Sequence, residues 1–234
     1  MFHDANVLNV IKNTFIYGIC STLFQNIFGL MFALLVDQKI RGRNFLKILI
    51  YLPAIISALI MGYVWYYFFQ YNGGAINDVL ALFSIAPVDW LSDGSRAVWI
   101  ITGVNTFQFV GVAMIIYLAG LQNIPTQYYE AAEMDGATGL KKFQHVTLPL
   151  LMPAITVSVV DNIIGGLKLF DVIMAMTKGG PGYSSHSLST MMYNLYFVRQ
   201  NAGYAAAIGN LMFLIICIIS VFTLKCLKSK EVEM

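Results

Sequence analysis

Five stretches of this chain are long and apolar enough to cross a lipid bilayer as helices, which takes roughly 20 residues each. They cover about residues 14–36, 48–69, 97–121, 147–177 and 204–227 of 234. Inside hydrocarbon, backbone N–H and C=O groups find partners only within their own helix or in a closed barrel, so runs of this length must be helical. The fold class that follows is an all-α, polytopic membrane protein with five transmembrane helices forming one domain over residues 1–234. Composition agrees, with 58% hydrophobic and only 11% charged residues, where a soluble domain carries nearer 25%. A net charge of +2 is too small to argue for nucleic acid as a partner. Cys20, Cys217 and Cys226 have neither zinc-site spacing nor an even disulfide count, and read as buried small apolar groups. The opening MFHDANVLNVIKN lacks the basic-then-apolar layout of a cleavable signal.

Lysine and arginine set the expected orientation. Lys39, Arg41, Arg43 and Lys47 follow span one, Lys141 and Lys142 follow span three, and Lys225, Lys228 and Lys230 end the chain. All fall on one side of a five-span topology, and the positive-inside rule makes that side cytoplasmic, the C-terminus included. The N-terminus then lies outside. The first, second, third and fifth spans read as plain apolar helices. The fourth is longer, opens with Pro149 and Pro153, and carries Asp161, Asn162, Lys168 and Asp171.

Two outer loops stand out. Residues 71–95 begin with a Gly-Gly turn, continue as a short helix near 75–83 and break at Pro87, with Trp90 and Trp99 suited to the interface. Residues 177–187, TKGGPGYSSHS, form a tight Gly-Pro turn, and residues 188–200 are expected to lie along the membrane surface.

Between spans three and four, residues 125–149 form a charged, Gly-broken insert. Pro125 suits a first helical turn, residues 127–134 a short helix, and Gly136 a positive φ at its C-cap. Gly139 loosens the turn, and helix resumes over 141–147 before Leu148-Pro149. A solvated loop is the plain alternative. It does not require Ala131-Ala132 beside Glu130, which makes a shallow, polar face that another protein can approach closely.

The spacing Glu130-Ala131-Ala132, Gly136, Val146, Leu148-Pro149 resembles the signature loop of permease subunits in binding-protein-dependent ABC importers, with Val146 in place of the usual isoleucine. Further stretches are similar to the carbohydrate branch, the maltose-permease-like subunits. They are Asp135-Gly136-Ala137, Phe170-Asp171, Thr177-Lys178-Gly179-Gly180-Pro181, Gly203 to Ala207, Arg43-Asn44-Phe45 with Leu52-Pro53, and Gly74 to Asn77 with Trp90-Leu91. The Gly-Gly-Pro loop points to the first of the two paired permease types. Such members usually carry a further N-terminal helix, which this chain lacks in that comparison.

The resemblance implies a type I importer fold and a multi-pass subunit of the bacterial cytoplasmic membrane. It implies a heterodimer with a second permease, a cytoplasmic ATPase dimer using ATP and Mg, an extracellular solute-binding protein, and a sugar or oligosaccharide as cargo. In it the insert is the coupling helix. Glu130 would make a directional contact to an ATPase groove, Ala131 and Ala132 would let the helix seat deeply, and Asp135, Gly136, Leu148 and Pro149 would complete the motif. No cofactor, metal or catalytic residue is expected in this chain, which has no phosphate-binding Gly-rich loop.

Polar groups inside spans are costly and face a cavity or a partner helix. Asn105 and Gln108, three apart on span three, and Asp161, Asn162 and Lys168 on span four are candidates for the substrate path, with Phe170, Phe107 and Phe109 as aromatic platforms. Asp161 and Lys168 share a face without touching. For each, a bond to the partner permease is the competing reading. Gly179, Gly180 and Pro181 shape the outer end, where a binding protein would dock. His3, His145 and His186 are isolated, and His145 in the insert and His186 in an outer loop read as surface residues. The alternatives are a permease for another small solute such as glycerol phosphate, or, less favoured, a secondary transporter. Five spans with one proline-rich member do not divide into the paired halves the latter requires.

Overall fold

A computed structural model describes residues 5–38 and 40–231, so His3 and Lys39 lie outside the described residues. All regular structure among them is helical. The first span is helix α1 (Ala5–Phe15), a π-turn at Ile16–Cys20 and α2 (Ser21–Asp37), continuous from Asn6 to Asp37. It starts eight residues earlier than the hydropathy run predicts, because Val7 and Val10 give the polar opening a buried face. Nor is this span plain, since Ser21, Thr22 and Gln25 are buried along it.

The second apolar run is not one straight helix. It divides into α3 (Arg43–Ile55) and α4 (Ala58–Phe69), which meet at 97°. Pro53 removes a backbone donor from the last turns of α3. Ile56 and Ser57 then adopt extended ψ values of 139° and 133°. A short α5 (Ala75–Leu82) follows, its loop held by Asn77, whose Oδ1 accepts from the Val88 N–H and the Trp90 indole.

Helix α6 (Gly94–Gln122) is the axis of the bundle, with α2 and α3 packed along it. Asp93 caps it by accepting from Ser95 N and Arg96 N. Small residues allow the close approaches. A Cβ at Gly29 would come within 2.6 Å of Ala113 Cβ, and one at Gly111 within 2.5 Å of the Ile50 carbonyl oxygen.

The insert comprises α7 (Thr126–Met134), α8 (Gly139–Lys142) and a π-turn at Phe143–Thr147. The fourth run continues as α9 (Leu148–Leu150), α10 (Met152–Leu167) and α11 (Asp171–Met176), bent by 67° at Leu151 and interrupted again at Lys168–Phe170. A hairpin leads to α12 (Leu188–Tyr193), a π-turn at Asn194–Val198 and the last span, α13 (Ala202–Lys228). Three helices are thus long and apolar enough to cross a membrane, or up to five spans when each bent pair counts as one.

Three apolar clusters fill the interior. At the insert end, Ala33, Val36, Met114, Tyr117, Leu121, Ile124 and Leu151 pack together. At the other end of α6, Tyr17, Val98, Ile101, Val172 and Ile173 do so. The third cluster joins Val7 and Val10 to Leu188, Met191, Leu195, Ala205 and Ile208. Within residues 188–200, Leu188, Met191 and Leu195 pack between α1 and α13, while Tyr196, Phe197 and Val198 are exposed. Helix α13 also packs along α10, and Cys217 and Cys226 are exposed on it, not buried.

Candidate functional site

Where α2, α6 and α10 meet the break after α10, a cleft of about 250 Å³ opens into the bundle. Gln25, Asn105, Phe109, Asp161, Asn162, Lys168, Phe170 and Asp171 line it, with Ala58 from the bend in the second span and the small Gly165 and Gly166. Five of the six residues predicted for a substrate path meet here: Asn105, Asp161, Asn162, Lys168 and Phe170. Asp161 and Lys168 are both exposed to the opening and make no ion pair within 4.0 Å, as their spacing predicts.

Gln108 lies elsewhere. It is fully buried at the break between α3 and α4, and its Nε2 donates to the Ile56 carbonyl at 3.1 Å. It satisfies a carbonyl that the bend leaves without a helical partner. Phe107 is also outside the cleft, in contact with Trp65.

Sequence reasoning passed over the polar residues of α2. Gln25 lines the cleft, and its Nε2 donates to the Asn105 carbonyl at 3.0 Å. Asn26 joins three helices. Its Oδ1 accepts from Tyr117 of α6 and from Ser158 of α10, and its Nδ2 donates to the Thr22 carbonyl at 2.7 Å. Ser158 in turn accepts from Asn162 of the cleft at 3.3 Å. The signal was present as STLFQN, four polar groups within six residues of an apolar run. Asn26→Leu removes two interhelical bonds, each contributing about 0.6 kcal/mol on average in membrane proteins. A lowered thermal midpoint in detergent, with Asn26→Gln intermediate, is the expected outcome.

The insert is largely exposed. None of α7, α8 or the residues between them is buried. Met134 is 90% and Leu140 69% exposed, unusual for large apolar side chains outside a lipid-facing helix. Glu130 is exposed and forms no ion pair; the one ion pair among the described residues joins Lys142 Nζ to Glu133 Oε1 at 2.8 Å, across the turn. Lys142 holds the Glu133 carboxyl below its ordinary pKa. Gly136 takes φ +75°, as the C-cap reading requires, and Gly139, at the start of α8, takes φ +43°. Asp135 is exposed at the C-cap, and Tyr129 Oη meets Thr147 Oγ1 at 3.2 Å, tying α7 to the start of the fourth span beside Leu148 and Pro149.

At the opposite end, the hairpin is pinned to the first span. Asn13 Nδ2 donates to the Ser184 carbonyl at 2.7 Å, Tyr17 Oη to the Ser185 carbonyl at 2.9 Å, and Leu188 N to Thr14 Oγ1 at 2.9 Å. Gly179 is buried, Gly180 joins Pro181 through a cis peptide bond, and Pro181 is exposed. His186 is not a surface residue. It is 3% exposed, shares a hydrogen bond with Thr190 at 2.9 Å, and packs against Tyr183. His145 is exposed as predicted. Burial, and secondarily the Arg199 charge, pull the His186 pKa from 6.5 to about 4. The unfolded hairpin then binds the proton more tightly than the docked one, so docking is strongest above pH 6.5 and weakens as pH falls toward 4. Proteolysis of the hairpin across that window checks this, and His186→Asn should flatten the profile.

The family model of the binding-protein-dependent transport system inner membrane component matches residues 25–230. The chain belongs to this family. Its curated relatives include a probable starch degradation products transport system permease, AmyD, of Thermoanaerobacterium thermosulfurigenes. It is 34% identical over 231 residues, covering 99% of this chain and 78% of that one. The trehalose/maltose transport system permease MalF of Thermococcus litoralis is 32% identical, covering 89% and 70%. Among solved structures, a bacterial ABC transporter that imports the acidic polysaccharide alginate superposes with a TM-score of 0.87 at 25% identity, covering 97% of this chain and 81% of that one. The permease thus has the type I importer fold, and its helices are those of a membrane protein. Among its described residues, no group of three or more His, Cys, Asp or Glu converges to hold a metal ion.

Proposed function

We propose that this permease is the first-type membrane subunit of an ATP-driven importer that moves a sugar or oligosaccharide across the bacterial cytoplasmic membrane. The observation that carries this reading is the cleft: amide and charged groups with an aromatic edge at Phe170, set among membrane helices. Hydroxyl-rich solutes are bound by such planar polar groups together with aromatic faces. The curated relatives named for starch products and for trehalose and maltose support the same class of cargo.

In this reading the insert and the C-terminus face the cytoplasm, and Glu130, Ala131, Ala132, Asp135, Gly136, Leu148 and Pro149 form the surface that an ATPase subunit engages. Closure of two ATPases around ATP and Mg then tilts this permease and a second one, with lipid around them, so that the cleft alternates between the two sides. A solute-binding protein delivers the sugar near Gly179, Gly180 and Pro181. A complex of the alginate importer with its sugar-loaded periplasmic protein offers a precedent for that partner.

Co-purification from the membrane with a second permease and an ATPase, followed by uptake of labelled saccharides in proteoliposomes, tests the reading. ATP-dependent uptake that disappears in Asn105→Ala and Asn162→Ala at unchanged expression is the expected result. A stable, active monomer without partners would overturn it.

A further inference from the structure

The charge and hydrogen-bonding character of the cleft says which saccharides it can accept. Three charged side chains line it, the Asp161 and Asp171 carboxylates and the Lys168 ammonium, so acid outnumbers base. No arginine is among the lining residues, although a guanidinium is the group best shaped to hold a carboxylate through paired hydrogen bonds. The single ammonium is not locked to either acid by an ion pair, so its three N–H donors can serve a sugar.

The neutral groups lean the same way. Gln25 Nε2 is engaged by the Asn105 carbonyl and Asn162 Nδ2 by Ser158 Oγ. Each of these two amides leaves a ligand one N–H and a carbonyl oxygen with two lone pairs, so acceptors exceed donors. With the carboxylates, that makes a surface rich in acceptors. Neutral sugars present hydroxyl donors to such a surface at every ring position. A uronic-acid unit presents a carboxylate, which meets like charge and oxygen lone pairs where it needs donors.

We infer that this cleft selects neutral saccharides and rejects acidic ones, with Asp161 and Asp171 as the excluding groups. The permease therefore parts from the alginate importer in cargo while sharing its fold. Like charge across a partly dehydrated site suppresses wrong ligands more than it strengthens the right one. This inference rests on the saccharide reading of the cleft.

The test uses the full complex of this permease with its second permease and ATPase in nanodiscs, without binding protein, so that only the membrane cleft chooses. Binding is compared for three trisaccharides of equal length, built from glucose, from a uronic acid and from glucosamine. The glucose form is expected to bind about tenfold or more better than the uronate form, as a like charge at short range demands. Asp161→Asn with Asp171→Asn should close most of that gap, read as the ratio of glucose to uronate binding, since asparagine keeps an acceptor oxygen but carries no charge. Should the double variant not assemble, salt serves instead, because raising ionic strength screens the repulsion and narrows the gap in the unmodified complex.

Equal binding of glucose and uronate forms would overturn the selection, and so would a glucosamine form that binds no better than the uronate form. Binding of none of the three, together with no saccharide uptake, would remove the saccharide reading itself and this inference with it.

Discussion

Gly136→Val is expected to abolish uptake while the permease still inserts and assembles its bundle. Gly136 sits at φ +75°, a region that a β-branched residue occupies only under strain. No atom lies within 4 Å of the place where a Cβ would be, so crowding contributes nothing and the backbone alone is affected. Strain of about 1–3 kcal/mol is enough to unwind the Asp135 cap and turn α7 away from its present direction. Asparagine tolerates the left-handed region, so Gly136→Asn should retain most activity. Glu130→Lys is the companion test. Glu130 is exposed and has no ion-pair partner within the chain, so the change should leave the thermal midpoint untouched and still stop transport. ATP-dependent uptake, read beside the amount of permease in purified membranes, separates the cases. Normal uptake in both variants would remove the coupling role of the insert.

Gly179→Ala should have the largest effect on the opposite end. The residue is buried at φ +85°, and a Cβ there would collide with the His186 ring. The ring cannot readily yield, because it shares a hydrogen bond with Thr190 and is packed against Tyr183. Two penalties therefore add, the backbone strain and the overpacking, each about 1–3 kcal/mol. The hairpin should detach from Asn13 and Tyr17, seen as protease cleavage within residues 177–187 and a lowered thermal midpoint. The double variant Gly179→Ala with His186→Ala should recover part of the loss by making room. Gly182, at φ +60° with open space around it, is the control position: alanine there incurs the strain without the collision.

Those two ends differ in how legible they were. The insert declared itself through local chemistry. What marks Glu130, Ala131, Ala132, Gly136 and the Leu148-Pro149 pair is residue type and backbone geometry, both set by nearest neighbours in sequence. The hairpin's glycines were equally visible, but the reason for Gly179 is a histidine seven residues on, folded back against it. The histidine itself read as a surface residue because nothing in its flanks announces burial.

The cleft was half legible. Asn105 and Asn162 stood out as polar residues in apolar runs, and both line it. Gln108 stood out for the same reason and serves the break between α3 and α4 instead. Hydropathy cannot separate a side chain that faces a solute from one that satisfies a bent helix, since both are polar groups in an apolar span. Gln25 and Asn26 were missed because their span was dominated by leucine and phenylalanine, and an average hides four polar groups within six residues.

By itself the sequence determined what the bilayer and the local backbone enforce: five apolar runs, all helical, the charged insert between the third and fourth, and the turns at Gly136 and Gly139. Only the tertiary structure decided which runs are straight, which polar residues share a cleft, and which acids go unpaired within it. The first set depends on interactions between residues a few positions apart, or between a segment and lipid. The second depends on contacts such as Gln25 to Asn105 and Asn26 to Ser158, where helices far apart in sequence compete for the same donors and acceptors.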